Sequence, residues 1–251
     1  MGWKSGMEKI KKNQRKLWRL IISFLLLLVI GTAIYLLDYY RASEAAMSEL
    51  EHPTAGIMIL QEDDQIIFQP EQSKAGMIFY PGGKVAFESY APLMEACAEN
   101  GILCVVPHMP GNLAVLDQNA ADGIKEQYPQ VTTWYLAGHS LGGTIAAIYL
   151  GDHAEEYDGL ILLASYSTTD LSKTDLNVLS IYGSNDGVMN REKYEACKSM
   201  LPSGFHERII DGGCHAYFGD YGEQAGDGTP TITMQEQQRQ TVQAIVNCIG
   251  S

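Results

Sequence analysis

Positive charge is scarce over most of this chain. Residues 38–251 carry 10 lysines and arginines against 29 aspartates and glutamates, a net charge of −19. A protein that binds nucleic acid or an anionic lipid surface needs clustered basic side chains to meet the phosphate groups. The composition therefore argues against both ligands for this part of the chain, and we expect no nucleic-acid partner.

Metal-binding and redox motifs are also missing. The sequence contains no Cys-x-x-Cys and no His-Glu-x-x-His, the spacings that place thiolates or imidazoles around a metal or in a redox pair. The five cysteines are an odd number, so they cannot all pair within one chain. We expect no metal and no cofactor, and buried thiols at Cys97 and Cys104. Cys214, which precedes His215, is the candidate for a reactive thiol.

The basic residues are concentrated before an apolar segment at the N-terminus. Seven lysines and arginines and one acidic residue precede residue 20, and residues 20–37 carry no charge. This segment is just long enough to span a bilayer, and the basic flank predicts a cytoplasmic N-terminus. We predict a basic cytoplasmic tail at 1–19, a transmembrane signal anchor at 20–37, a linker at 38–54 and a folded domain at 55–251.

A cleaved signal peptide is the second interpretation of this segment. Its apolar core is usually shorter, about 7–15 residues, and small residues mark the cleavage site. The small residues around 42–46 lie beyond the bulky Tyr39 and Tyr40. We favour a single-pass membrane protein with its domain on the extracytoplasmic side; the alternative is a secreted protein.

Apolar runs and helical patterns alternate through the rest of the chain. Buried parallel strands are typically continuous apolar runs, and their alternation with helices predicts an α/β fold with a mostly parallel sheet. The predicted strands are 57–60, 65–68, 77–80, 102–106, 132–136, 160–163, 178–182 and 207–210. The predicted helices are 88–100, 117–128, 144–150, 191–200 and 234–248.

Ser140 lies at the centre of a Gly-x-Ser-x-Gly motif. The apolar run that ends at Leu136 is followed by Gly138-His139-Ser140-Leu141-Gly142 and then by a helix of small apolar residues. A strand that turns into a helix through this motif is a nucleophile elbow, which exposes the serine hydroxyl at the helix N-terminus. The motif predicts that Ser140 is a nucleophile.

A serine nucleophile needs a base, an acid and an oxyanion site. His215 follows the last predicted strand and is the candidate base, and Asp186 follows the preceding strand and is the candidate acid. Asp211 and Asp175 are the alternative acids. The residue after the nucleophile and a glycine in the first strand–helix loop normally hold the oxyanion, which here predicts the N–H groups of Gly83 and Leu141.

Other polar residues near these loops are candidates for contact with substrate. Lys84 follows the oxyanion loop and is a candidate to meet an anionic group of the substrate, although the favoured interpretation is an exposed surface lysine. His108 follows a strand and would line the pocket. His139 precedes the nucleophile and is expected to point away from it, with a role in packing or hydrogen bonding beneath the turn.

The motifs YPGGK, GHSLGG, YGSNDG and GGCHAYFGDYG, with the order Ser140, Asp186, His215, resemble those of α/β-hydrolases, in particular the small dienelactone-hydrolase-like group. The resemblance runs from about residue 55 to the C-terminus. It implies an α/β-hydrolase fold, a Ser-His-Asp triad and no cofactor. Dienelactone hydrolases proper use a cysteine nucleophile, whereas this chain has a serine, so their named activity does not transfer.

Two functions fit the sequence. The first is an esterase-type serine hydrolase, and the second is a membrane-tethered binding or sensing protein that keeps the fold without turnover. Lipid-acting relatives often carry a helical lid before the strand that bears the acid. Here that connection, residues 164–177, is short and polar, so we expect no large lid and a small, soluble, ester-like substrate.

Overall fold

The computed structural model describes residues 2–250 as two separate units, which divide between Asp38 and Tyr39. The first unit is one long helix, α1 (Gly2–Leu37). Within it, the 23 residues Asn13–Tyr35 are long and apolar enough to cross a membrane, and none of this segment is buried against protein. The predicted N-terminal apolar helix is therefore present.

The second unit contains an eight-stranded sheet in the order β1-β2-β4-β3-β5-β6-β7-β8. The β1/β2 and β2/β4 pairs are antiparallel, and the other five pairs are parallel. This confirms the predicted mostly parallel sheet. The strands are β1 (Ile57–Gln61), β2 (Gln65–Pro70), β3 (Ala75–Tyr80), β4 (Ile102–Pro107), β5 (Trp134–His139), β6 (Gly159–Leu163), β7 (Asn177–Gly183) and β8 (His206–Ile210).

Helices cover both faces of the sheet. The side chains of β3, β4 and β5 alternate between two apolar clusters, one on each face, and all three strands are buried throughout. This burial on both faces explains their continuous apolar sequence. The helices of this unit are α2 (Glu44–Glu51), α3 (Ala91–Ala98), α4 (Leu141–His153), α5 (Arg191–Cys197) and α6 (Met234–Ile249).

The segment expected as a linker is instead part of the folded unit. It contains α2, which Ser43 caps by accepting the N–H of Ala46, and the side chains of Ala46 and Leu50 are buried. Tyr40 forms a parallel β-bridge with Val85. The compact unit thus begins at Tyr39 rather than at residue 55, because this polar stretch still carries enough apolar side chains to pack.

The helix predicted at 117–128 does not form. The segment consists of turns and one 3-10 turn at Lys125–Gln127, and Gly123 has a positive φ of 74° that an α-helix excludes. The hydroxyl of buried Tyr80 accepts the N–H of Ala121 and donates to the carbonyl of Gln118. A side chain therefore satisfies backbone groups that a helix would otherwise pair.

Candidate active site

Ser140 occupies a strained turn between β5 and α4. Its φ of 53° and ψ of −120° lie in a region that residues with a Cβ rarely adopt. Its N–H donates to Leu163 O at 2.9 Å, and its carbonyl accepts the Ser165 hydroxyl at 2.7 Å. The neighbouring strand thus holds the turn in place and offsets its strain. The side chain of Ser140 is partly exposed at the start of α4.

The two outer glycines of the motif are required by close backbone contacts. A Cβ at Gly142 would overlap the carbonyl oxygens of Tyr80 and Pro81, and one at Gly138 would overlap the backbone of Gly142. Because these contacts are with main chain rather than with movable side chains, no rotamer change relieves them. The motif therefore brings the start of α4 directly against the loop that follows β3.

The loop after β3 leaves one N–H group available beside Ser140. The N–H of Gly82 donates to the Tyr90 hydroxyl, and the N–H of Lys84 donates to Asn112 O. Within residues 2–250, the N–H groups of Gly83 and Leu141 donate no hydrogen bond. A Cβ at Gly83 would lie 2.9 Å from Leu141 Cδ2, so the two predicted oxyanion donors belong to residues in close proximity.

Asp186 and His215 form a buried hydrogen-bonded pair. His215 Nδ1 lies 2.8 Å from Asp186 Oδ2, and both side chains are almost completely shielded from water. The other oxygen of Asp186 accepts the N–H groups of Val188 and Met189, each at 2.8 Å. The carboxylate is thus fixed by its own loop and in turn fixes the imidazole with Nδ1 protonated.

The alternative acids lie elsewhere. Asp211 is exposed and accepts the hydroxyl of Ser184, and Asp175 is exposed on a groove at the far end of α4. Among the three candidate carboxylates, Asp186 is the one that contacts His215.

His139 lies beneath the turn, as the sequence predicts. It is buried, its Nδ1 lies 2.8 Å from the Tyr90 hydroxyl, and its ring centroid is 4.6 Å from that of His215. Burial, together with the neighbouring charge of His215, lowers the pKa of His139 well below its usual value. Ser140 therefore follows a neutral histidine that contacts the ring of the candidate base.

Asp227 is a residue of the candidate site that the sequence did not indicate. It lies in the glycine-rich segment after β8 and accepts backbone N–H groups from Gly187, His215, Ala216 and Gly228. Burial alone would raise the pKa of Asp227, but these four bonds outweigh it and lower the pKa. An Asp-Gly pair in a turn-rich segment was the only available signal, and it is typical of many surface turns.

Helix α6 supports the same loop. The buried side chain of Gln237 accepts the N–H of Cys214 at 2.9 Å and donates to its carbonyl at 2.8 Å. Cys214 itself is buried, and burial raises the pKa of its thiol to about 12. A protonated, buried thiol is a poor nucleophile, so the structure argues against a reactive cysteine next to His215. Within residues 2–250 no two cysteines form a disulfide, and Cys97 and Cys104 are buried as expected.

Lys84 and His108 lie on neighbouring loops at the carboxyl ends of β3 and β4. Lys84 has a positive φ of 60° and is partly buried, and its carbonyl accepts the N–H of Tyr40. His108 is exposed, and its ring stacks on Phe87 with centroids 4.9 Å apart. Both residues therefore belong to the edge of the sheet where Ser140 lies.

The connection between β6 and β7 contains neither helix nor strand from Ala164 to Leu176, in agreement with the expected absence of a large lid. Its first residues brace the nucleophile turn instead. Ser165 bonds the carbonyl of Ser140, and Thr144 donates to Tyr166 O.

A model of the alpha/beta hydrolase family matches residues 76–239. No curated protein matches the chain. Among solved structures, Est1E from Butyrivibrio proteoclasticus with bound ferulic acid has a TM-score of 0.59 at 14% identity over 77% of this chain and 100% of its own.

Two further structures cover a similar share of the chain. A putative dienelactone hydrolase from Klebsiella pneumoniae subsp. pneumoniae has a TM-score of 0.55 at 14% identity over 74% of this chain and 92% of its own. A predicted CIB-like hydrolase from Thermoplasma acidophilum has a TM-score of 0.53 at 17% identity over 76% and 100%. At these identities the likeness concerns the fold.

Proposed function

Because the chain belongs to the alpha/beta hydrolase family, we propose that it is an esterase-type serine hydrolase that uses Ser140, His215 and Asp186 to cleave a carboxylic ester or a related acyl bond. The observation that carries the proposal is the buried pair of Asp186 and His215, on loops at the sheet edge that also presents Ser140. Burying an imidazole–carboxylate pair carries a desolvation penalty, so a pair of this kind is weak support for stability and is better explained by a catalytic role.

The reaction begins with proton transfer from Ser140 to His215. The unprotonated Nε2 of His215 takes the proton as Ser140 Oγ attacks the carbonyl carbon, while Nδ1–H stays bonded to Asp186, which stabilises the imidazolium. The tetrahedral intermediate collapses when His215 returns the proton to the leaving group. Water then attacks the acyl-enzyme by the same route and releases the acid.

The negative oxygen of the tetrahedral intermediate is held by the N–H groups of Gly83 and Leu141. Both donors are free of other hydrogen bonds in the described part of the chain, and Leu141 lies at the N-terminus of α4, where the helix dipole favours negative charge. Each such donor is typically worth about 10²–10³-fold in rate.

The preferred substrates are small, soluble, short-chain acyl compounds. The short connection from Ala164 to Leu176 has no helix to cover a long acyl chain or to open at a lipid surface. Lys84 and His108, at the same edge of the sheet, are the groups assigned to contact the substrate. Lys84 would face an anionic portion of it.

The proposed location of the protein in the cell rests on its N-terminal segment. Residues 1–19 form the basic cytoplasmic tail, residues 20–37 form the anchor, and the hydrolase domain lies outside the cytoplasm. The support is the apolar length of Asn13–Tyr35 together with seven basic residues before residue 20.

Covalent labelling tests the proposed function. Full-length protein in mild detergent is treated with a fluorophosphonate probe, and hydrolysis of short acyl esters is measured in parallel. We expect the wild type to label and turn over, Ser140→Ala to do neither, and Ser199→Ala, which removes an exposed serine on the 3-10 turn after α5, to match the wild type. A correctly folded wild type that fails both assays would support the non-catalytic binding protein instead.

A further inference from the structure

The hydroxyl of Tyr90 lies between the oxyanion loop and the nucleophile turn. Tyr90 is fully buried at the start of α3. Its oxygen is 2.9 Å from the N–H of Gly82, the residue before the oxyanion donor Gly83, and 2.8 Å from Nδ1 of His139, the residue before Ser140. One phenol therefore joins two segments that are 57 positions apart in sequence.

The direction of one of these hydrogen bonds follows from chemistry. A backbone N–H can only donate, so the Tyr90 oxygen accepts from Gly82. The bond between the Tyr90 hydroxyl and His139 Nδ1 depends on the tautomer of His139, since the phenol oxygen can both donate and accept. Burial disfavours the charged form of His139, so in both tautomers this bond joins two neutral groups. The loop and the turn are therefore linked through Tyr90 in either tautomer.

The oxyanion loop is held by a small set of hydrogen bonds rather than by side-chain packing. Gly82 and Gly83 have no side chains, and a Cβ at Gly82 would come within 2.8 Å of His139 Nδ1 and 2.9 Å of the Tyr90 oxygen. The loop is secured further along by the backbone bonds of Lys84 to Asn112 and Tyr40. The Tyr90 hydroxyl holds the Pro81–Gly82 peptide, and the next peptide, which carries the N–H of Gly83, is held by a 3.2 Å bond from Val85 N–H to Gly82 O.

We propose that Tyr90 is a positioning residue, which through Gly82 and His139 sets the distance between the oxyanion donor at Gly83 and the nucleophile at Ser140. This role rests on the proposed hydrolase function. It also extends to the base, because the His139 ring contacts the His215 ring. Without the Tyr90 hydroxyl, the fold persists but the preorganised donor loses its alignment, so the transition state is affected more than substrate binding.

The chain offers a matched control one residue away. Ser89 is also fully buried, and its hydroxyl has no hydrogen-bond partner within residues 2–250. Tyr90→Phe and Ser89→Ala each remove one buried hydroxyl from the same turn, but only the first removes the link between the loop and the nucleophile. We measure kcat and KM of the full-length protein for a short acyl ester, and the inhibition constant of an alkyl boronic acid as a mimic of the tetrahedral adduct.

In Tyr90→Phe we expect kcat to fall about tenfold or more, KM to change less than about twofold, and boronic acid binding to weaken by a factor similar to the loss in kcat. Ser89→Ala should retain wild-type values for all three. Wild-type kinetics in Tyr90→Phe, or an equal loss in both variants, would overturn the role of Tyr90 while leaving the hydrolase assignment intact.

Amide hydrogen exchange tests whether Tyr90 orders the oxyanion loop, and it does so without relying on hydrolase activity. Tyr90→Phe should speed exchange of the Gly82 amide relative to Ser89→Ala, since this N–H loses its hydrogen-bond acceptor. A wild type without turnover or fluorophosphonate labelling would overturn the hydrolase assignment and the catalytic consequence of Tyr90. Unchanged exchange would show that Tyr90 does not order the loop.

Discussion

The carboxylate of Asp227 accepts the backbone N–H of His215 at 3.1 Å, and the same oxygen accepts the N–H of Gly187, the residue after Asp186. The other oxygen accepts the N–H of Ala216 at 2.8 Å. One side chain therefore bonds the loop of the candidate acid and the loop of the candidate base. Their separation is set by Asp227 as well as by the direct contact between Asp186 and His215.

Replacing Asp227 with asparagine should reduce both stability and activity. The amide has one accepting oxygen and no charge, so some of the four N–H groups lose their partner, at a cost of roughly 1–3 kcal/mol in the free energy of unfolding. We expect kcat to fall about tenfold because the acid and base loops lose their common anchor. Thermal unfolding and ester kinetics measure the two effects. Asp211→Asn, an exposed change near the same loops, is the control, and equal behaviour of the two variants would contradict the role of Asp227.

Asp186→Asn tests the acid more directly. An asparagine side chain no longer stabilises the imidazolium and favours the wrong tautomer of His215, which in serine hydrolases typically lowers kcat by about 10³–10⁴-fold. KM should change little, because the carboxylate does not face the substrate. Steady-state kinetics with a short acyl ester provide the measurement. Retention of more than a tenth of wild-type kcat would return the assignment to another carboxylate.

The raised pKa of Glu49 predicts that the free energy of unfolding depends on pH. Burial, a hydrogen bond to Glu95 and the nearby charges of Glu95, Asp220 and Glu99 raise the pKa of Glu49 from 4.5 to about 7. Because the folded value exceeds the unfolded one, the contribution of this group is fully present below pH 4.5 and is lost as the pH rises through 7. His52 and Arg239 line the same groove as Glu49.

Thermal unfolding of Glu49→Gln between pH 4.5 and 8 checks this dependence. The neutral amide keeps its hydrogen-bonding capacity but cannot ionise, so the variant should gain stability relative to the wild type as the pH rises. Glu44→Gln, an exposed change on the same helix, should follow the wild type. Parallel curves for all three proteins would show that Glu49 is ionised throughout.

The lack of a helix at residues 164–176, between β6 and β7, predicts how the rate depends on whether the substrate is dissolved or emulsified. Rates on acyl esters should fall as the acyl chain lengthens, without a rise when a substrate passes its solubility limit, since no helix has to open at an interface. A chain-length series measured with full-length protein in phospholipid nanodiscs provides the comparison. Faster turnover of emulsified long-chain esters than of soluble short-chain ones would overturn the proposed substrate class.

The N-terminus of the mature protein decides between anchor and signal peptide. Seven basic residues before an uninterrupted apolar span predict that residues 1–37 are retained. Mass spectrometry of protein isolated from membranes should therefore find peptides that precede residue 20. A mature start between Arg41 and Ser48 would identify a cleaved signal instead.

The sequence predicted the fold and the central residues because their signals are local. The elbow around Ser140 and the strand before it are adjacent in the chain, and buried strands such as β3 and β4 are continuous apolar runs. Asp186 and His215 could be ranked because each directly follows a strand.

The missed features depend on contacts between distant residues. In the sequence, Tyr90 occupies an ordinary apolar position of a predicted helix. The contacts of its hydroxyl with Gly82 and His139 are formed only in the folded chain. Asp227 lies 40 residues from Gly187, so no local pattern links them. The helix expected at 117–128 does not form, and the Tyr80 hydroxyl bonds backbone groups of this segment in another conformation. Tertiary contacts overrode local propensity in each case.

The β-bridge of Tyr40 determines where the protein can be truncated. The N–H of Tyr40 donates to Lys84 O at 2.7 Å, and the carbonyl of Tyr40 accepts the N–H of Ala86 at 2.9 Å. These two bonds hold the segment that directly follows Gly83. The family match begins only at residue 76, and an expression fragment designed from that boundary would remove this bridge together with α2 and two strands of the sheet. A soluble fragment for crystallisation or inhibitor screening therefore has to begin at or before Tyr39.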